Sequence, residues 1–263
     1  MELYATNLQI AYMAGLYALQ LERVSIGAVS PPFLGTVARL MGIEVEIVDM
    51  RLDLNSEADL HYNLFETFVP KGRIIFQGVG ETVGDGEIII KIGREGGVEI
   101  EGANREIEER IALFLNGGVV ERGELSYDIL SVGIEERGLP PRKEGEVLER
   151  ERRVVEYFQE RFRGNPYFDI LEVGDRTVKE GYPILLKPGL YCPKEEIFRS
   201  LRERGIPVRW GWRPLYRTTL FRGDLLPVSE ELYKALLVLP LREEIIEPVL
   251  EVFERYRHRG CRF

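Results

Sequence analysis

Three neighbouring runs decide how this 263-residue chain is read: GYPILLK at 181–187, PKEEIFRSLRERGIPVRWGWRPLY at 193–216 and DLLPVSEELYKALLVLPL at 224–241. Tyr182 to Lys187 is a short apolar run of strand length, and Ile206 opens a second strand. Between them Lys194 to Arg204 reads as an amphipathic helix. Glu195 and Glu196 stand at its start and Arg202 and Arg204 at its finish, each favourable to the helix dipole, and Gly205 ends it. A Pro-Leu-aromatic turn follows at Pro214-Leu215-Tyr216. Ser229 is expected to cap a short helix running to Leu237, and Leu239-Pro240-Leu241 forms the exit. Strand, helix, strand, helix in this order is an α+β unit.

Outward from that unit, Glu146 to Arg163 is a long helix whose stripe is Val147, Leu148, Val154, Val155, Phe158 and Phe162; it is expected to bridge two domains, 1–145 and 146–263. Asp169 to Val173 adds a strand, and Glu243 to Tyr256 a last helix. The first fifty residues alternate: Leu3-Tyr4-Ala5, a helix from Leu8 to Leu19, a strand from Arg23 to Val29, a helix begun at Pro31-Pro32 and closed by Gly42, and the strand Glu44 to Asp49. Strands spaced by helices imply a right-handed parallel βαβαβ unit. Between Met50 and Gly86 the signal weakens to Arg73–Gln77, with Glu87–Ile92 and the short strand Val98–Glu101 after it. Glu106 to Leu115 is an amphipathic helix stopped by Asn116-Gly117-Gly118.

Composition excludes several classes of function. Apolar residues at 44% exclude disorder, and charged residues reach 30% in mixed-sign runs such as EVLERERR, a density that fits a heat-adapted source. A net charge of −9 argues against nucleic-acid and membrane surfaces, both anionic themselves. Two histidines cannot build a His-rich metal site, and the two cysteines cannot support a disulfide framework, so Cys192 in its apolar context reads as a core thiol. With no apolar run near the ~20 residues of a membrane span and no charged-apolar leader, the expected location is the cytoplasm.

The run from Tyr182 to Pro240 resembles the C-terminal small domain of the DegT/DnrJ/EryC1/StrS family, the fold-type I, pyridoxal-phosphate-dependent sugar aminotransferases. Leu3 to Asp49, where a helix ending in glycine precedes a strand ending in Val-Asp, also looks like that family, as does Glu87 to Leu115. The resemblance implies an α/β fold: a contracted PLP-transferase-like large domain with a mainly parallel sheet, plus a C-terminal α+β small domain. It also implies pyridoxal phosphate as cofactor and a dimer, either a homodimer or a heterodimer with an aminotransferase relative. A block between Asp49 and Lys91, where the family places further strands and helices, is missing.

The devices that the resemblance calls for are thin in this sequence. A phosphate needs a backbone turn at a helix N-terminus. Where relatives carry Ser-Gly-Thr, this chain has Thr6-Asn7-Leu8, able to cap a helix but without the glycine that lets backbone approach an anion. The ring nitrogen needs a carboxylate. Relatives show Asp-x-Ala-Gln, and here the strand RIIFQ offers Gln77 and no aspartate, while Asp85 lies in a Gly-Asp-Gly turn. The lysine that bonds the coenzyme precedes Gly-Glu-Gly-Gly in relatives. Lys91, before Glu95-Gly96-Gly97, is either that lysine with a trimmed loop or, as favoured here, a strand residue left after the loop was deleted. Relatives' Gly-Tyr-Asn-x-Arg survives as Gly133-Ile134-Glu135-Glu136-Arg137. Glu135 replaces the asparagine, and its carboxylate within ~4 Å of a phosphate dianion would cost several kcal/mol; Arg137 remains.

The expectation is therefore a catalytically silent binding or partner subunit that binds no cofactor. The alternative is an active transaminase on a nucleotide-linked keto-sugar using Lys91, with Thr6, Asn7 and Arg137 around the cofactor. One further constellation stands out. In Arg209-Trp210-Gly211-Trp212-Arg213-Pro214-Leu215-Tyr216, alternation would put both tryptophans on one strand face and both arginines on the other. Arg209, Trp210, Trp212, Arg213 and Tyr216 are candidates for a ligand or subunit contact, because Trp and Arg anchor interfaces; a plain core face is the competing reading.

Overall fold

A computed structural model describes residues 3–5, 7–63, 70–78, 84–93, 97–115, 145–171 and 181–256. Two sheets organise it. The first contains β1 (Leu3–Ala5), β2 (Arg23–Gly27), β3 (Glu44–Val48), β4 (Leu60–Asn63), β5 (Lys71–Gly78), β6 (Asp85–Ile92) and β7 (Val98–Gly102), in the spatial order β1-β7-β6-β5-β4-β2-β3. Strands β3, β2, β4, β5 and β6 run parallel, and β7 is antiparallel to both β6 and β1. The fold is mixed α/β with a mostly parallel central sheet.

Helices α1 (Leu8–Leu19), α2 (Pro32–Leu40) and α3 (Arg105–Leu115) pack on the face that carries Val24, Ile26, Ile74, Phe76, Ile88 and Ile90. α1 suits that place because Ala11, Ala14, Gly15 and Ala18 are small and buried, which lets its axis approach the isoleucines of β5 and β6. Alternation in β6 sends Ile88, Ile90 and Ile92 into this core and Lys91 to the opposite face. α2 stops at Gly42, whose φ of +77° is a left-handed conformation that glycine adopts without penalty.

The second sheet has the order β10-β11-β9-β8, all antiparallel, from β8 (Phe168–Ile170), β9 (Tyr182–Leu186), β10 (Arg209–Trp210) and β11 (Leu236–Leu239). Helices α4 (Gly145–Phe162), α5 (Lys194–Glu203), α6 (Pro227–Ala235) and α7 (Ile246–Arg255) accompany it. Val154, Val155, Phe158 and Phe162 of α4 are buried in this second core.

Several expectations change. The region between Asp49 and Lys91 keeps the two strands that its sequence announces, as β5 and β6, and adds β4. What it lacks is length between them: β4 ends at Asn63 and β5 begins at Lys71, β5 ends at Gly78 and β6 begins at Asp85. Cys192 is exposed and disulfide-bonded rather than a core thiol. The short helix ends at Ala235, and Leu236 and Leu237 belong to a strand.

Ser229 does not cap α6 from the position that its sequence suggests. It is the third residue of the helix, and the cap comes from Asp49 at the end of β3. One carboxylate oxygen of Asp49 accepts from Ser229 N at 2.9 Å and Ser229 Oγ at 2.5 Å, and the other from Val228 N at 3.2 Å. Two more joints hold the halves together: Leu215 N donates to Ala28 O at 2.9 Å, and Arg39 donates to Leu220 O.

Candidate functional site

In an open parallel sheet, ligands bind outside the carboxyl ends of the strands, at the point where strand order reverses. Here β3 follows β2 to one side and β4 returns to the other, so the switch lies between the carboxyl ends of β2 and β4. The N-terminus of α1, the end of β6 with Lys91, and the segment around Trp212 are the features to compare with that edge.

Aromatic side chains fill much of the space. Tyr12 of α1 meets Phe76 of β5 at 5.3 Å between ring centroids, Phe76 meets Tyr62 of β4 at 5.8 Å, and Tyr62 meets Trp212 edge-on at 5.2 Å. Phe33 of α2 joins Tyr12, Tyr62 and Phe76 at 6.3–6.4 Å. Each such pair contributes about 0.5–1.5 kcal/mol beyond area burial. The Tyr12 hydroxyl is fully buried without a hydrogen-bond partner among the described residues, and burial pushes its pKa up, so it stays protonated. Behind Trp212 a cavity of about 20 Å³, bounded by Val29, Ser30, His61, Tyr62 and Leu236, remains between the halves. That is room for about one water. Burial pushes His61 below the ordinary histidine value, which keeps it neutral near pH 7.

The predicted cofactor residues can now be placed. Asn7 is a plain helix cap: its backbone is extended and its Oδ1 accepts from Ile10 N at 2.9 Å. Thr6, Glu135 and Arg137 lie outside the described residues. Lys91 is a half-buried strand residue whose ammonium is ion-paired with Glu101 and lies 4.0 Å from Glu99. Register explains this, because Lys91 opposes Glu99 in β7 and Ile89 opposes Glu101, so all three charges share one sheet face. Gln77 stands beside Lys91 in register, buried, with its Oε1 accepting from Gly84 N at 3.4 Å. Three residues before Gln77, where an Asp-x-Ala-Gln pattern would put the acid, is Ile74, fully buried. Asp85 begins β6 while Lys91 nears its end, so the two sit toward opposite ends of one strand.

The Trp-Arg segment does not sort by alternation, because β10 spans only Arg209 and Trp210. The tryptophans part company. Trp210 packs on Phe198 at 5.5 Å and on Tyr233 at 6.5 Å, under the Lys194 ammonium at 4.2 Å, whereas Trp212 packs on Tyr62 of the first sheet. Arg209 and Arg213 are exposed. Tyr216 is buried, its hydroxyl donating to Glu230 Oε1 at 2.8 Å, and Glu230 in turn holds Arg217 Nε at 2.6 Å.

Sequence reasoning missed Lys194, which is 2% exposed and makes no ion pair among the described residues. Its Nζ donates to Tyr233 O at 2.7 Å, and burial pulls its pKa down to about 7. Nothing in its helical position at the start of α5 announces this; the nearby Trp210 is the only hint. Among the described residues no group of His, Cys, Asp and Glu is assembled to hold a metal, and no helix is long and apolar enough to cross a membrane.

No protein-family model matches the chain. Among characterised proteins, the UDP-4-amino-4,6-dideoxy-N-acetyl-beta-L-altrosamine transaminase of Campylobacter jejuni is 30% identical over 166 residues, 57% of this chain and 44% of the relative. The Helicobacter pylori protein of the same name is 27% identical over 186 residues, 62% of this chain and 49% of that one. Among solved structures, Helicobacter pylori PseC, an aminotransferase of pseudaminic acid biosynthesis, superposes with a TM-score of 0.75 at 16% identity, covering 97% of this chain and 87% of PseC. DesI, solved in the presence of its TDP-sugar product, gives 0.74 at 12% identity, with 97% and 80% covered. The neighbours in sequence and in structure are sugar aminotransferases of the DegT/DnrJ/EryC1/StrS type. The sequence matches span less than half the length of those relatives. The solved structures share the fold of the central sheet and its helices.

Proposed function

We propose that this chain is a reduced, catalytically silent sugar-aminotransferase relative, divided at about residue 145, that serves as a binding or partner subunit. Its partner is a second copy of itself or a full-length aminotransferase relative. The observation that carries this reading is Lys91, whose ammonium is already engaged by Glu101 and Glu99. Pyridoxal phosphate, when bound by an enzyme, supplies an electron sink at its ring nitrogen. The described residues do not fit it. Ile74 offers no carboxylate for the ring nitrogen, Asn7 spends its amide oxygen on its own helix, and no glycine opens the first turn of α1. No reaction step is therefore assigned to the coenzyme.

The test is incubation of the purified chain with pyridoxal phosphate and borohydride, followed by peptide mapping. The expected result is no stoichiometric adduct at Lys91 and no visible absorbance band. A single adduct at Lys91, with a band abolished by Lys91→Ala, overturns the reading in favour of an active transaminase. Size-exclusion chromatography with light scattering, alone and with a full-length relative, then separates the partners. A strict monomer that ignores the relative defeats the partner role.

A further inference from the structure

A second cleft lies where α2 and the edge strand β3 face the segment 216–226. It encloses about 320 Å³, at the small end of the range of ligand clefts, roughly 300–1,000 Å³. Its floor is apolar, formed by Val45 and Ile47 of β3 together with Phe221 and Leu226. Three charged side chains open onto it: Arg39, Arg222 and Asp224.

Their partners set this cleft apart from a solvated surface dent. Arg39 is fixed in place, donating to Leu220 O while its guanidinium lies 4.3 Å from the centre of the Phe221 ring. Among the described residues its other guanidinium donors have no acceptor. Arg222 and Asp224 are exposed, and among the described residues neither makes an ion pair or hydrogen bond. Both line the cleft, on either side of Gly223. The cleft therefore presents cationic forks for a carboxylate, one carboxylate for a cation, and an apolar floor, in a chain whose net charge is −9.

We propose that this cleft binds a free α-amino acid with an apolar side chain. The ligand carboxylate pairs with Arg39 and Arg222, since a guanidinium meets a carboxylate through two parallel hydrogen bonds. The ammonium pairs with Asp224, and the side chain lies on Val45, Ile47 and Phe221. A simple anion would leave Asp224 facing like charge, and a simple amine would meet two arginines; the zwitterion satisfies both ends. Because the segment 216–226 belongs to the second half and β3 to the first, an occupant would touch both.

The experiment is calorimetric titration of the full chain with L-phenylalanine and L-leucine, compared with 3-phenylpropanoate, which lacks the ammonium, and phenethylamine, which lacks the carboxylate. Saturable binding of the amino acids is expected, with each truncated analogue weaker by about tenfold or more, the worth of one lost charged hydrogen bond. Arg222→Ala should weaken L-phenylalanine and 3-phenylpropanoate alike, whereas Asp224→Asn should weaken only the amine-bearing ligands. Both residues are exposed, and unchanged thermal melts without ligand will show that the variants fold. Absence of saturable binding, equal affinity for 3-phenylpropanoate and phenylalanine, or affinity indifferent to both substitutions overturns the assignment.

Discussion

Replacing Asp49 by alanine is the sharpest probe of how the two halves are joined. The carboxylate accepts two backbone N–H groups of the first turn of α6 and the hydroxyl of Ser229, itself fully buried. Losing a helix cap costs about 1 kcal/mol, and losing the negative charge at the N-terminus costs about 0.5 kcal/mol. Leaving a buried hydroxyl short of its acceptor costs about 1–3 kcal/mol, and Met50 N, which donates to Ser229 Oγ at 3.2 Å, cannot take the place of that acceptor. Asp49 is half-buried, so the low end of each figure applies and the sum is about 2–3 kcal/mol. For a chain of this size that is a fall in Tm of about 5–9 °C. Asp49→Asn keeps an acceptor and should lose about 1 kcal/mol.

The same carboxyl has a pH signature. Burial raises its pKa, but the hydrogen bonds from Ser229, Met50 and Val228 outweigh this and hold it below the ordinary aspartate value. A depressed folded pKa stabilises above the unfolded value and loses that effect as pH falls through the folded one. The wild-type chain should therefore weaken below about pH 4, and the Asn variant should lack that component. Thermal unfolding followed by circular dichroism at pH 7 and pH 3 measures both. If Asp49→Ala melts within about 1 °C of wild type at pH 7, the carboxylate does not hold α6 and the account of the joint is wrong.

Other perturbations test separate features. Lys194→Met should raise stability at pH 6, and the advantage should shrink as pH rises from about 7 to about 10; in that window the unfolded lysine is protonated and the folded one is not, so wild-type stability climbs with pH, by up to about 1.4 kcal/mol per unit. A flat difference between the two melts across pH 6–9 would contradict the burial of that ammonium. Gly72→Ala should cost about 2 kcal/mol or more, because its Cβ would come within 2.8 Å of the Asp59 carbonyl, backbone that cannot turn aside; urea denaturation reads this, and a neutral result would dispute the β4–β5 register. Trp212→Ala should cost about 2–3 kcal/mol, below the fully buried range because the ring is half-exposed. Lys91→Met should change stability by less than about 1 kcal/mol, as partly exposed ion pairs do.

Much of this fold could be read from residue order. The helix α5 after β9, the βαβαβ start and the burial of Val154, Val155, Phe158 and Phe162 in α4 all follow from apolar spacing with glycine or proline stops, whereas the strand expected from Ile206 forms only at Arg209–Trp210. β4 could not be read that way. Leu60–Asn63 is four residues long with a histidine and an asparagine, and it is a strand because β2 and β5 pair with it on either side. Ser229 looked like a cap because sequence shows only the local run, whereas the group that caps α6 is 180 residues away. Alternation misplaced the tryptophans because it presumes a strand longer than the two residues of β10. At the site, Asn7 as a cap and Lys91 as a strand residue were legible; the ion pair that occupies Lys91 depends on β7 register, and the burial of Lys194 on Trp210 and Tyr233 folding over it.

The Asp49 joint also bears on the order of assembly. Closing a loop between residues 180 positions apart is entropically more expensive than closing a hairpin, yet each doubling of length adds only about 0.6 kcal/mol. Local helices and strands on either side can therefore form before this contact, leaving it for a late docking event. A nascent chain would emerge with β3 complete and its terminal acid exposed, waiting through most of synthesis for the helix that it tethers.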